Sequence, residues 1–213
     1  MQSLVILISG RGSNMQALVK AALPARIAAV ISNERDAAGL ASAKAAGIAT
    51  SVVDHRAYPD KSDFEAALAA EIESHQPDLV VLAGFMRVLT ERFITRFEGR
   101  LLNIHPSLLP ALPGLHTHRR ALDAGARIHG CTVHFVTADV DAGPIVIQAA
   151  VPVLPSDTEE VLAARVLEQE HRIFPAAVRW FCEGRLRLSQ GRVRLDGAHT
   201  SAAALVSPAL QAL

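Results

Sequence analysis

Apolar residues come in short unbroken runs along the first half of the chain, and longer amphipathic stretches separate them. Unbroken apolar runs that alternate with helical stretches are typical of strands buried on both faces of a parallel sheet. The predicted strands are 3–9, 27–32, 49–54, 78–84 and 101–105, and the predicted helices are 14–22, 37–47, 63–75 and 90–97. The pattern therefore predicts an α/β fold with a Rossmann-like, open twisted sheet whose N-terminal half is mostly parallel.

The pattern changes in the second half of the chain. The apolar runs 127–136 and 144–153 are separated by only seven residues. A parallel connection needs a crossover of about a dozen residues or more, so we expect antiparallel strands in this C-terminal half. A long C-terminal helix is predicted over about 158–183, with Ser156 or Asp157 as its N-cap and a break or kink at Pro175.

Composition and charge argue against several classes of protein. The chain has 213 residues, with 21 Lys and Arg against 21 Asp and Glu and no basic stripe, so no nucleic-acid partner is expected. The two cysteines, Cys131 and Cys182, are far apart, which argues against a disulfide framework and a structural zinc site. The N-terminus is typical of a first strand, and no apolar stretch reaches the ~20 residues of a membrane span. We therefore expect a cytoplasmic protein with no membrane partner.

A loop that contains glycines, Gly10 to Asn14, joins the first predicted strand to the first helix. Glycine lets the backbone approach a ligand closely, and free N–H groups at a helix N-terminus attract phosphate. Met15 stands where a dinucleotide fingerprint has its third glycine, and the Gly-Lys-Ser/Thr of a Walker loop is missing. The loop therefore favours a monophosphate. The alternative is a tight turn in which Ser13 or Asn14 only caps the helix.

Asn103 and His105 lie at the end of the fifth predicted strand, and prolines follow them. Residues two apart on a strand share a face, and ligands of open α/β sheets collect beyond the carboxyl ends of the strands. An amide beside an imidazole can stabilise an oxyanion, and histidine can also move a proton near neutral pH. The alternative is a buried histidine that bonds to backbone groups, with Asn103 capping a turn.

Asp141 is the third candidate catalytic residue. It belongs to the segment Asp-Ala-Gly-Pro between the two antiparallel strands, where an aspartate can serve a turn for purely local reasons. In the functional interpretation its carboxylate pairs with His105, favours the imidazolium and fixes the orientation of the ring.

Two other chemistries find no support in the sequence. Four histidines invite a metal hypothesis, but their spacing matches no usual zinc pattern; they are His116, His118, His129 and His134. No metal site is therefore expected. A Gly-x-Ser-x-Gly elbow is also missing, which argues against hydrolysis through a serine nucleophile.

Five segments in this order make the chain similar to one family of enzymes: "ISGRGSN", "VVLAGFMRVLT", "LLNIHPSLLPALPGLHTHRRAL", "HFVTADVDAGPIVIQ" and "RVLEQEHRIFP". They resemble the phosphoribosylglycinamide formyltransferases of purine biosynthesis over about residues 2–190. The resemblance implies transfer of a formyl group from the co-substrate 10-formyltetrahydrofolate to the amine of glycinamide ribonucleotide, with no metal. It implies small-molecule substrates as partners, and we expect a monomer or a homodimer.

The resemblance also assigns site residues. It places the catalytic roles on Asn103, His105 and Asp141, which the chemistry had already indicated. Its ribonucleotide contacts fall on Gly12, Ser13, Asn14, Leu167, Glu168, Gln169 and Glu170. Its folate contacts fall on Lys61, Met86, Arg87, Val88, Leu89, Asn103, Thr137, Ala138, Asp139, Val140 and Asp141. Lys61 departs from the family, which has an arginine there; lysine can still meet the glutamate tail of folate, but without bidentate geometry.

The expected organisation is a single formyltransferase domain over 1–195. Its phosphate-binding α/β half covers 1–100, its catalytic and folate-binding half covers 101–195, and a tail without an assigned role covers 196–213. Related users of formyltetrahydrofolate remain alternatives: a formyltetrahydrofolate hydrolase and the tRNA and sugar formyltransferases. A rival of another class is a nucleotide-binding or phosphate-sensing module that performs no chemistry.

Overall fold

A seven-stranded sheet forms the centre of the molecule in the computed structural model, which describes residues 1–198 and 205–208. The strand order is β3-β2-β1-β4-β5-β6-β7. The strands are β1 (Gln2–Ile8), β2 (Ala25–Ser32), β3 (Ala49–Val52), β4 (Leu79–Leu82), β5 (Leu101–His105), β6 (Ile128–Phe135) and β7 (Ile145–Pro152). The first five are parallel, and β6 and β7 run antiparallel to their neighbours. The predicted Rossmann-like sheet is therefore confirmed, including the change of direction in its C-terminal half.

Helices cover both faces of this sheet. They are α1 (Ser13–Lys20), α2 (Ala38–Ala45), α3 (Lys61–Ser74), α4 (Glu91–Arg96), α5 (Thr117–Asp123) and α6 (Glu159–Cys182). One apolar core packs α1, α2, α5 and α6 against one face, and a second packs α3 and α4 against the other. Because the central strands are buried on both faces, their residues are apolar without alternation, as the sequence pattern indicated. None of the helices in the described ranges combines the length and apolarity that a membrane-spanning helix needs.

The start of the long helix α6 differs from the prediction. Thr158 is its N-cap, and the Thr158 hydroxyl accepts a hydrogen bond from the Val161 N–H at 3.3 Å. The expected cap Asp157 instead accepts hydrogen bonds from Arg165 and from the N–H of Leu154, and Ser156 lies outside the helix. The helix also continues through Pro175 to Cys182 without a break.

A short helix and a hairpin were missed by the sequence analysis. The short helix α5 follows the proline-rich loop after β5, and a separate hairpin follows α6, with strands β8 (Leu186–Ser189) and β9 (Arg192–Leu195). Gln190 and Gly191 both have positive φ at the hairpin turn, as a tight two-residue turn requires. Residues 199–204 and 209–213 of the predicted tail lie outside the described residues.

A pair of histidines joins α5 to the sheet. His129 Nε2 on β6 lies 3.2 Å from His118 Nδ1 on α5, and the two rings meet edge to face. Burial lowers the pKa of both imidazoles, that of His129 to about 4. The pair is therefore neutral near pH 7, with one ring nitrogen donating to the other.

This pair makes stability depend on pH. Between pH 6.5 and about 4 the unfolded chain binds a proton at residue 129 that the folded chain does not, so the free energy of unfolding falls as the pH is lowered through this window. We expect His129 to account for about 3 kcal/mol of that fall, and His129→Gln to remove it. Urea unfolding from pH 7 to 4 measures this, with His75→Gln at the end of α3 as the matched control. An equal slope in wild type and His129→Gln would contradict the assignment.

Candidate active site

The candidate site lies where strand order changes direction. β1 has β2 on one side and β4 on the other, so the chain segments that follow β1 and β4 diverge and leave a crevice at their carboxyl ends. Ligands of open α/β sheets bind at such points. The glycine loop follows β1, the expected folate segment 86–89 follows β4, and Asn103 and His105 end β5.

The glycine loop has the features of an anion seat. Gly12 is the N-cap of α1 with φ +71°, a conformation that favours glycine, and within the described chain no side chain caps this helix. The capping alternative for Ser13 or Asn14 is therefore wrong. With no side chain bonded to them, the first N–H groups of α1 are available to an anion.

A glycine of α2 supports this loop. The Gly39 N–H donates to the Gly10 carbonyl at 3.0 Å. A Cβ at Gly39 would lie 2.6 Å from Ile8 Cδ1, 3.1 Å from Gly10 O and 3.1 Å from Gly12 Cα. The backbone of α2 therefore packs directly against the loop and fixes its path.

Asn14 and Glu170 meet beside the loop. The Asn14 amide donates from Nδ2 to Glu170 Oε2 at 2.7 Å, and both residues are buried. Burial raises the pKa of the Glu170 carboxyl, which the bond from Asn14 partly offsets. Among the described side chains, Asn14 Oδ1 is a buried oxygen without a hydrogen-bond partner. The structure thus places two of the sequence-derived contacts, Asn14 and Glu170, in direct contact.

The other residues of α6 that are expected to contact the ribonucleotide are not hydrogen-bonded to Asn14 as Glu170 is. Glu168 is exposed, Gln169 accepts a hydrogen bond from Arg172, and Leu167 is half-buried. Sequence reasoning missed His171, whose Nε2 is buried and has no partner among the described residues. His171 lines an open cleft of about 380 Å³ between α1 and α6, which Ser13 borders at the end of the glycine loop. Its position next to Glu170, one residue further along α6, was the available signal.

The imidazole of His105 is held from both sides. Its Nδ1 lies 3.3 Å from Asp141 Oδ2, and its Nε2 lies 3.1 Å from the carbonyl oxygen of Leu112. Both partners are hydrogen-bond acceptors, so a proton on either ring nitrogen finds an acceptor. His105 is 6% exposed, and Leu112 adopts φ +55°, which is rare for a side chain of its kind.

Asp141 lies in a tight turn between β6 and β7, which places its carboxylate beside His105. Asp141 has φ +53°, which aspartate tolerates better than most residues, and its Oδ2 accepts a hydrogen bond from the Gly114 N–H at 2.8 Å. A Cβ at Gly143 would lie 1.8 Å from the carbonyl oxygen of Phe135, so only glycine fits there. The structure therefore brings Asp141 and His105 together, as the functional interpretation required.

The side chain of Asn103 contacts His134, a residue that the sequence analysis assigned to no site. Asn103 lies opposite His134 in the antiparallel ladder of β5 and β6, and its Nδ2 is 3.2 Å from His134 Nε2. No sequence signal singled out His134, since β6 also contains His129 and Thr132, and the spacing of the histidines pointed only to a rejected metal site.

The expected folate segments line an apolar rim. Met86 and Val88 are exposed by 64% and 62%, Val140 by 53%, and Leu89 is buried beneath them. Arg87 is half-buried, Thr137 is partly buried, and Ala138 and Asp139 are exposed. Exposed apolar side chains of this kind can pack against a heterocycle.

Lys61 lies near the end of the first folate segment. It begins α3, and its Nζ is 3.8 Å from Glu65 Oε1. The buried Glu65 carboxylate accepts hydrogen bonds from the N–H and the hydroxyl of Thr90, directly after Leu89. The folate contact expected of Lys61 stays a prediction. No group of three or more His, Cys, Asp or Glu in the described ranges is placed to hold a metal ion.

The fold and this arrangement define a formyl transferase. A model of the family described as "Formyl transferase" matches residues 2–178, and the chain belongs to this family. It is 48% identical over 199 residues to phosphoribosylglycinamide formyltransferase of Escherichia coli, covering 92% of this chain and 94% of that protein. The glycinamide ribonucleotide transformylase structure from Symbiobacterium toebii superposes with a TM-score of 0.89 at 51% identity, over 92% of this chain and 94% of the other. A trifunctional purine biosynthetic protein of Bos taurus is 47% identical over 193 residues, 88% of this chain but 19% of that protein.

The contact of Gly39 with the glycine loop should reverse the stabilisation that Gly→Ala usually causes in a helix. Gly→Ala within a helix normally stabilises a protein by about 1 kcal/mol. We expect Gly39→Ala to destabilise the chain by about 1–3 kcal/mol, because the new methyl group would meet Ile8 and the loop backbone.

Urea unfolding measures the effect of Gly39→Ala. Gly10→Ala is the matched control, since a Cβ at Gly10 meets nothing within 4 Å. Stabilisation by Gly39→Ala would show that α2 does not constrain the loop.

Proposed function

We propose that this chain transfers the formyl group of 10-formyltetrahydrofolate to the amine of glycinamide ribonucleotide, a step of purine biosynthesis. The observation that carries the proposal is the pairing of His105 with Asp141 at the end of β5, on the strand face that also presents Asn103. The identity to phosphoribosylglycinamide formyltransferases over nearly the whole chain supports the choice of substrate.

The ribonucleotide takes the phosphate seat at the start of α1. Its phosphate accepts hydrogen bonds from the N–H groups of Gly12, Ser13 and Asn14 and gains from the positive end of the helix dipole. Glu170, held by Asn14, faces the sugar, and its carboxylate suits hydroxyl donors. The remaining expected contacts, Leu167 to Gln169, precede Glu170 on the same helix.

The folate occupies the apolar rim on the other side of the crevice. Its flat ring system packs against residues 86–89 and 137–141, several of which are exposed. Its glutamate tail extends toward Lys61. In this proposal residues 1–100 supply the phosphate seat, and residues 101–195 supply most of the catalytic machinery.

The reaction is a direct transfer. The lone pair of the ribonucleotide amine attacks the formyl carbon, and the carbonyl oxygen becomes an oxyanion. The bond from carbon to N10 of the folate then breaks, and the proton that the amine loses is delivered to N10. Holding both substrates together supplies much of the acceleration.

His105 and Asn103 stabilise the oxyanion in this scheme. The Nε2–H of His105 now donates to the Leu112 carbonyl, and the oxyanion takes the place of that carbonyl when substrates bind. Asp141 holds the ring through Nδ1 and sustains its positive charge. Proton movement from the amine to N10 runs through His105 or through water.

The proposed activity is tested by mixing the chain with 10-formyltetrahydrofolate and following the folate absorbance with and without glycinamide ribonucleotide. We expect loss of the formyl group only when the ribonucleotide is present, with a matching formylated ribonucleotide in the mass spectrum. Equal turnover without ribonucleotide would identify a hydrolase. Binding of the ribonucleotide with an unchanged folate would identify a module that performs no chemistry.

Substitution of Asn103 or Asp141 should lower turnover. Asn103→Ala removes an oxyanion donor and should lower kcat about 10²- to 10³-fold. Asp141→Asn removes the charge that holds the imidazolium and should lower kcat about 100-fold or more. Asp123→Asn in α5 is the matched control. Near wild-type turnover in either variant would refute the assigned role.

Lys61 should affect folate binding and not the chemical step. Lys61→Ala should raise the KM for 10-formyltetrahydrofolate about three- to tenfold with an unchanged kcat, and Lys61→Arg should not raise it. A formyl donor that lacks the glutamate tail is the control, because its KM should not respond to Lys61→Ala. An equal rise with both donors would mean that Lys61 does not contact the tail.

A further inference from the structure

His134 faces the catalytic amide from the neighbouring strand. The antiparallel register places His134 directly opposite Asn103, and Asn103 Nδ2 lies 3.2 Å from His134 Nε2. An amide nitrogen donates hydrogen bonds and does not accept them. His134 Nε2 must therefore be the acceptor in this contact, with a free lone pair.

The other ring nitrogen fixes the tautomer. His134 Nδ1 lies 2.9 Å from the carbonyl oxygen of Phe135, which only accepts, so Nδ1 carries the proton. Both contacts are satisfied by a neutral ring and not by a charged one. His134 is 2% exposed, and burial lowers the pKa of its imidazole, which favours the neutral form.

His134 does not share the function of His105. Its Nε2 is 3.8 Å from Asp141 Oδ1, beyond hydrogen-bond distance, whereas Asp141 Oδ2 approaches His105 and Gly114. The register between β6 and β7 also shifts here, since Val133 pairs with Ile147 and His134 with Ile145. A bulge of this kind next to a site redirects a side chain.

We propose that His134 is a positioning residue for the transfer reaction: its Nε2 lone pair holds one N–H of Asn103 and so fixes the rotation of the amide. The second N–H and Oδ1 of Asn103 are then presented to the substrates in a single orientation. Without this acceptor the amide rotates about its terminal torsion, which has two similar minima. The inference rests on the proposed function, in which Asn103 stabilises the oxyanion.

A double-mutant cycle with Asn103 tests this role. His134→Leu removes the acceptor and should lower kcat about 10- to 100-fold, while the KM for glycinamide ribonucleotide stays within about twofold. His134→Gln places an amide oxygen at similar reach, so its kcat should stay within about threefold of wild type. In the Asn103→Ala background neither substitution should change kcat by more than about twofold, because the group that His134 positions is gone.

His129→Leu is the matched control, since His129 is equally buried on the same strand but contacts His118. It should change kcat by the same factor in the wild-type chain and in the Asn103→Ala background. Thermal unfolding checks that each variant folds. If His134→Leu does not fold, His134→Asn replaces it, because that shorter side chain keeps polarity but stops short of Asn103.

The outcomes separate this inference from the proposed function. Loss of kcat that is present with Asn103 and absent in Asn103→Ala supports the positioning role. If His134→Leu lowers kcat by the same factor in the wild-type chain and in Asn103→Ala, or leaves kcat unchanged, the positioning role is overturned while the proposed formyl transfer stands. A wild-type chain that transfers no formyl group overturns the proposed function, and the His134 inference falls with it.

Discussion

The reversal of strand direction between β5 and β6 is the constraint on which the candidate site depends. The antiparallel ladder sets Asn103 opposite His134 and His105 opposite Thr132. It also sends the chain from the end of β6 into the turn that carries Asp141 back toward β5. A parallel strand in this position would leave by a long crossover, and the carboxylate would have to come from elsewhere in the chain.

The polar groups of the site are held by backbone atoms as much as by one another. The carbonyls of Leu112 and Phe135 accept from His105 and His134, and the Gly114 N–H donates to Asp141. These backbone groups belong to β6 and to the proline-rich loop after β5. The hydroxyls of Ser107 and Thr132 form hydrogen bonds with the backbone of that loop. These backbone contacts hold the side chains of His134 and Asp141 in one orientation, and only the contact of His105 with Leu112 would be exchanged for the oxyanion in the proposed reaction.

Much of the fold could be predicted because the relevant signals are local. Unbroken apolar runs indicated the buried strands, and the short connection before Ile145 indicated antiparallel pairing. The predicted N-cap of α6 was wrong because the carboxylate of Asp157 pairs with Arg165, two turns along the helix, and Thr158 caps the helix instead. The helix α5 is too short to show a period, and the turn signal at Gln190 and Gly191 was overlooked.

The sequence was enough to select candidate residues for the site but not to predict their contacts. Residue types and strand ends were enough to select Asn103 and His105, whereas the pairing of a lone turn aspartate with a distant histidine depends on the register of the ladder. The acceptor at Leu112 depends on the path of an irregular loop, which no periodicity encodes. His134 was visible only as one of several histidines, and its partner becomes apparent only when β5 and β6 are aligned.

The hydrogen bond between Asn14 and Glu170 joins residues 156 positions apart. The groups proposed to bind the formyl donor and to perform the chemistry all lie between Lys61 and Asp141, whereas the seat for the acceptor needs both ends of the described domain. As a ribosome extends the chain, residues 61–141 are therefore synthesised first, and the segment that carries Glu170 follows later. A chain that stops short of α6 would keep the residues proposed for the chemistry and lack the Glu170 carboxylate that is proposed to complete the seat for the molecule to be formylated.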